Sequence, residues 1–64
     1  MDIKGEYIKK LRKQKKYTQE DLGRLSGTSA SMISKIETGI KSTSVKKLKN
    51  IAQALDTPMD DLVN

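Results

Sequence analysis

The sequence contains no cysteine, no histidine, no tryptophan and no phenylalanine, and its 64 residues include one proline, Pro58, and two tyrosines. Without cysteine there is no disulfide framework, and without cysteine or histidine no zinc site of the usual nitrogen and sulfur donors. No glycine-rich loop of the phosphate-cradling type is present, no nucleophile lies beside a base, and no paired carboxylates sit where their protonation would shift. Neither a metal, a cofactor, a small-molecule substrate nor an enzymatic activity is therefore expected. Long apolar runs are missing too: hydrophobic residues come singly or in pairs with charges between them, so neither a signal peptide nor a membrane span is expected. The reading is a soluble, cytoplasmic protein of one domain, residues 1–64, whose stability rests on a packed apolar core alone. A chain this short removes only about 60% of its unfolded surface from water.

What the sequence does contain is an uneven excess of positive charge. Thirteen Lys and Arg against eight Asp and Glu give +5, and residues 1 to 16 hold seven of the bases and two of the acids. Such asymmetry suits a polyanionic partner, nucleic acid first and an anionic membrane second. Solvation of a helix face explains Lys9, Lys10, Lys13, Lys15 and Lys16 equally well, and the same holds for Lys46, Lys47 and Lys49. A membrane-surface helix is the weaker alternative, because the first segment has little apolar area and lacks Trp and Phe.

Apolar residues recur at helical intervals throughout, and no segment alternates as a half-buried strand would, which predicts an all-α fold. Ile8 and Leu11, extended by Ile3 and Tyr7, mark a first helix from about Lys4 to Lys15. Thr18 is its successor's N-cap, with Asp21 three residues on in a capping-box arrangement, so a second helix is expected from Gln19 to Leu25. Gly27 supplies the turn. Ser29 caps a third helix that ends before Gly39, and Ser44 a fourth carrying Val45, Leu48, Ile51, Ala52 and Leu55. Thr57, with Pro58 at the first helical position and Asp60 at the third, is expected to open a short fifth helix burying Met59, Leu62 and Val63. Glycine inside a helix costs about 1 kcal/mol relative to alanine. Gly23, in the middle of the second helix, therefore asks for a compensating close approach of two backbones, as where one helix crosses another steeply after a short turn.

On the third helix, Ile33 and Ile36 define a core side at about 100° per residue, which leaves Ser31, Ser34, Lys35 and Thr38 facing away. Short hydroxyl side chains let a helix backbone sit close to a surface, and a cation among them can reach guanine O6 and N7; a major groove would need this. A merely solvated face with low-information serines is the alternative. Glu37 and Arg12 each border an apolar stripe, and opposite charges so placed invite pairing between the first helix and the end of the third.

The stretch IKKLRKQKKYTQEDLGRLSGTSASMISKIETG, followed by SVKKLKNIAQALDTPMDDLV, resembles the Cro and phage-repressor type, or XRE-like, helix-turn-helix family over nearly the whole chain. The TQEDL opening, the turn glycine, the ISKIETG tail and the LKNIAQAL helix follow one another in the family's order. The resemblance implies a compact five-helix lambda-repressor-like DNA-binding domain, with the helix-turn-helix at about residues 19–38. It also implies that Gln19 binds a phosphate; that Ala30, Ser31 and Lys35 occupy base-contacting positions, with Ser29 and Ser34 near the backbone or groove edge; that Lys41, Ser42 and Thr43 form a phosphate-gripping loop; and that Arg12 and Glu37 form a structural bridge. Four departures stand out: Gly23 where alanine is usual, Lys16 where glycine often ends the first helix, Thr28 for valine and Thr43 for proline. The Gly23 and Lys16 departures should lower stability. The function implied is a sequence-specific double-stranded DNA-binding transcriptional regulator, a repressor acting by operator occupancy as a homodimer, with dimer contacts near the fifth helix, Met59 and Val63 among them. An antitoxin or protein-interaction module on the same fold is the rival class.

Overall fold

In a computed structural model of the chain, residues 2–39 and 43–64 are described. They form four α-helices, α1 (Gly5–Gln14), α2 (Gln19–Leu25), α3 (Ala30–Thr38) and α4 (Val45–Ala54), followed by a 3-10 turn over Met59–Leu62.

Local chemistry sets the boundaries. At the start of α2 the Asp21 amide donates to Thr18 Oγ1 at 2.9 Å while the Thr18 amide donates to Asp21 Oδ2 at 3.0 Å, so two orphan donors are satisfied reciprocally. Single hydroxyl caps open α3, where Met32 N–H donates to Ser29 Oγ, and α4, where Lys47 N–H donates to Ser44 Oγ, both at 3.1 Å. The ends of α1, α2 and α4 repeat one device. After α1 the Lys16 amide donates to Lys13 O and the Tyr17 amide to Arg12 O; after α2 Gly27 and Thr28 do the same to Arg24 O and Gly23 O; after α4 Asp56 and Thr57 do so to Gln53 O and Ala52 O. Each is a Schellman closure, which needs a left-handed residue just past the cap. Gly27 meets this at φ 75°, but Lys16 and Asp56 hold φ of 61° and 54° with a Cβ present. The termini of α1 and α4 are also joined by Lys15 Nζ donating to Asp56 Oδ2 at 2.7 Å, which holds the lysine above its ordinary pKa.

The core is made by one stripe from each element: Ile8 of α1, Leu22 of α2, Ile33 and Ile36 of α3, Leu48, Ile51 and Ala52 of α4, then Leu55 and Leu62. Met59 and Val63 pack half-buried against it. Val45, which heads the apolar repeat of α4, is 57% exposed because it is the first residue of the helix and lies beyond the end of the packed stripe.

The expected fifth helix is instead the 3-10 turn. Pro58 is extended (φ −64°, ψ 142°) and so sits before the turn rather than in its first position. The Thr57 hydroxyl faces Asp61 Oδ2 at 3.4 Å rather than capping an amide. A distant segment decides the matter: the Lys4 amide takes Leu62 O at 2.8 Å and the Asn64 amide takes Asp2 O at 2.9 Å, making an antiparallel bridge between Ile3 and Val63. Backbone groups committed to that bridge cannot also extend a helix. Two paired residues are too few to show strand alternation in sequence.

Candidate nucleic-acid interface

The orientation of α3 follows from contacts free of side chains at each end. A Cβ on Gly23 would lie 2.7 Å from Ser29 C and 3.0 Å from Ala30 N, so α2 and the start of α3 meet backbone to backbone. At the other end, a Cβ on Gly5 would lie 2.5 Å from Ile36 O and 2.7 Å from Glu37 O, so the first turn of α1 rests on the last carbonyls of α3. With α3 held in this way, Ile33 and Ile36 are fully buried, and Ser31, Lys35 and Thr38 are exposed on the opposite side. Ala30 and Ser34 are half-buried on one flank, and Met32 is half-buried on the other, against the core.

The polar groups on this surface are not equally free. Ser31 and Ser34 make no side-chain hydrogen bond among the described residues, and Lys35 joins none of the ion pairs found there. Thr38 turns its hydroxyl back to donate to Ser34 O at 2.9 Å. Ser29 is exposed, but its oxygen already accepts from Met32. Thr43 is half-buried, and Lys41 and Ser42 lie outside the described residues.

Behind the surface lies a polar network. Arg12 Nε donates to Glu37 Oε2 at 2.6 Å and Arg12 Nη2 to Glu37 Oε1 at 3.1 Å, a two-pronged pair in which Arg12 is 7% and Glu37 4% exposed. Arg12 Nη1 donates further to Tyr17 O at 2.8 Å, which ties the turn after α1 to the same guanidinium. Gln19, the first residue of α2, completes the set: its Nε2 donates to Glu37 Oε1 at 3.2 Å. The amide expected to reach a phosphate is thus already bonded inward through one of its N–H groups. Nothing in local spacing could have indicated this, since Gln19 and Glu37 meet only once α2 and α3 are folded together. Asp21, one turn into α2, carries a carboxyl held below its usual range, first by the backbone hydrogen bond from Thr18.

Among the described residues no cluster of acids could hold a metal ion, and no helix is long and apolar enough to cross a membrane. Among the described residues two large apolar side chains stand out on the surface, Leu25 at 52% and Val45 at 57% exposed.

Comparison with known proteins gives a consistent picture. A family described as Helix-turn-helix matches residues 8–62. The chain is similar in structure to the P22 c2 repressor protein solved with a synthetic operator, at 30% identity and a TM-score of 0.91, covering 100% of this chain and 97% of that one. It is similar also to SinR of Bacillus subtilis, a master regulator for biofilm formation solved with DNA, at 30% identity and a TM-score of 0.81, covering 88% of this chain and 90% of that one. The fold occurs too as 35% of a hydroxypropylphosphonic acid epoxidase from S. wedmorenis, which is 25% identical over 100% of this chain with a TM-score of 0.83. No curated protein matches the chain.

Proposed function

We propose that this chain, which belongs to the Cro and phage-repressor type helix-turn-helix family, is a sequence-specific double-stranded DNA-binding domain of a transcriptional regulator, acting as a repressor by occupying its operator. The observation that carries the reading is the outward projection of Ser31 and Lys35 together from α3, opposite fully buried Ile33 and Ile36. Lys35 is assigned to direct readout, as a cation able to reach guanine O6 and N7, and Ser31 and Ser34 to base edges or phosphates. Ala30 has no polar side-chain atom, so its contribution is limited to a methyl contact with thymine. Gln19, Ser29, Lys41, Ser42 and Thr43 are assigned to the sugar-phosphate backbone. The +5 net charge, concentrated in the first sixteen residues, supplies long-range attraction to the duplex.

One recognition helix presents few reading groups, so the proposal includes a homodimer whose two α3 helices enter successive major grooves roughly one helical turn apart. Met59 and Val63 are half-buried against the protomer's own core, and the dimer contact drawn from them uses the part of each side chain left exposed.

The test is selection of bound duplexes from a random pool, followed by affinity measurement over a salt series. A two-fold symmetric site is expected, with affinity falling steeply as salt rises. Lys35→Ala should relax preference at one base position by about 1–3 kcal/mol. A uniform loss across sequences would reassign Lys35 to a phosphate, and failure to bind any duplex in dilute buffer would end the reading.

A further inference from the structure

The Gln19–Glu37 hydrogen bond gives the buried acid a task beyond pairing with Arg12. α2 has seven residues, Gln19–Leu25, and is fastened to α3 at one end by the Gly23–Ser29 backbone contact. At its other end the polar link is Gln19 Nε2 to Glu37 Oε1 at 3.2 Å, eighteen residues apart in sequence. Glu37 itself cannot swing, because both its oxygens are held by Arg12 and it is 4% exposed.

A carboxylate accepts hydrogen bonds and offers none, so it dictates which end of the Gln19 amide turns inward: the NH2 group must. That leaves Gln19 one further N–H and its carbonyl oxygen, in an orientation fixed relative to α3 rather than free to rotate. We propose that Glu37 is a positioning residue for phosphate recognition: it locks the Gln19 amide so that its second N–H meets a backbone phosphate in a set register with the side chains that α3 presents. The inference rests on the DNA-binding reading above. It adds that Glu37 acts on affinity through Gln19, separately from its support of the fold through Arg12.

The experiment uses the full chain and a duplex selected by it, with single phosphates replaced in turn by uncharged methylphosphonates. In the wild type, one replacement near the start of α2 should weaken binding roughly tenfold, the effect of losing a hydrogen bond to a charged group. The same replacement should have no effect in Gln19→Met, which keeps the side chain's length without its donor. Glu37→Leu made together with Arg12→Met removes the acceptor without stranding a charge, and should abolish sensitivity at that one phosphate while leaving the others unchanged. A purely structural Glu37 would weaken binding at every phosphate alike, or leave the tenfold effect in place, and either result overturns the inference. Should that double variant fail to fold, the side-chain amide resonances of Gln19 in the unaltered protein decide. A hydrogen bond to Glu37 that persists when duplex is added supports the positioning role, and one that breaks on binding refutes it. If the wild type binds duplex but no phosphate depends on Gln19, the inference falls alone; if it binds no duplex, the functional reading falls with it.

Discussion

Removal of Arg12 tests what the buried pair does for the fold. In Arg12→Ala the Glu37 carboxylate would keep only the 3.2 Å bond from Gln19 and lose two donors, at 2.6 and 3.1 Å, while staying 4% exposed in its present setting. A buried charge stranded by loss of its partner costs about 3–5 kcal/mol. The total stability expected of a chain this long, at about 0.05–0.15 kcal/mol per residue, is only about 3–10 kcal/mol. With each kcal/mol worth about 4–8 °C in a domain of this size, the melting temperature should fall by roughly 12–40 °C, enough to unfold much of the population near room temperature. Lys13→Ala is the control, since Lys13 is exposed on the same helix and makes no ion pair among the described residues. Its effect should stay within about 0.5 kcal/mol. Thermal melts followed by far-ultraviolet circular dichroism on the two variants decide the matter: equal melting temperatures refute the reasoning. A second comparison separates stranded charge from lost packing. Arg12→Met combined with Glu37→Leu removes both charges, and should recover most of the loss seen in Arg12→Ala, because apolar replacement of a whole buried pair is often close to neutral.

Lys16→Gly should stabilise the protein by about 0.5–1 kcal/mol, since the φ of 61° is left-handed and the gain is offset only partly by glycine's greater freedom when unfolded; a lower melting temperature for this variant would contradict that. The backbone contact at Gly23 reverses the expectation that glycine there lowers stability relative to the usual alanine: Gly23→Ala should destabilise despite alanine's helix preference of about 1 kcal/mol, because the added Cβ meets Ser29 backbone at 2.7 Å and neither backbone can turn aside as a flexible side chain could; urea titration giving a higher midpoint would show that α3 moves away easily. Asp21→Ala should be less stable than the wild type at neutral pH, and the gap should close under acid. The carboxyl's folded-state pKa is depressed by its hydrogen bond from the Thr18 amide, so its contribution is present above the unfolded value and lost as pH falls through the folded one. Melts repeated from pH 7 to below about 4 should show the two curves converging; a constant gap would mean that the lost cap hydrogen bond does not depend on ionisation.

The parts of the fold legible in sequence were those decided within a few residues. Thr18 with Asp21, Ser29 and Ser44 mark helix starts because a cap bonds to an amide two or three positions on, and all three caps form. The apolar spacing placed Ile33 and Ile36 inward because helix geometry alone fixes which side chains share a face. The 3-10 turn at Met59–Leu62 carries the local signals of a helix start, and the groups that shape it instead, Asp2 and Lys4, lie at the opposite end of the sequence. Gln19 shows the same limit at the candidate site: resemblance to relatives gives it a role, but the acid that orients it is eighteen residues away.

The glycines show where the boundary of legibility runs. Gly23 could be noticed because glycine is unfavourable in mid-helix and so calls for a compensating contact, which the approach to Ser29 supplies. Gly5 makes a closer approach, 2.5 Å from a would-be Cβ to Ile36 O, yet it opens α1, where glycine carries little propensity penalty to draw attention. Together they hold α3 by its two ends, Gly23 at Ser29 and Ala30, Gly5 at Ile36 and Glu37, without a side chain at either contact. A side chain in such a place could adopt other rotamers and let the helix roll. Backbone against backbone fixes both its depth and its rotation, and that rotation decides whether Ser31 and Lys35 point outward together. The chemistry of the candidate surface therefore depends on two residues that contribute no chemical group to it.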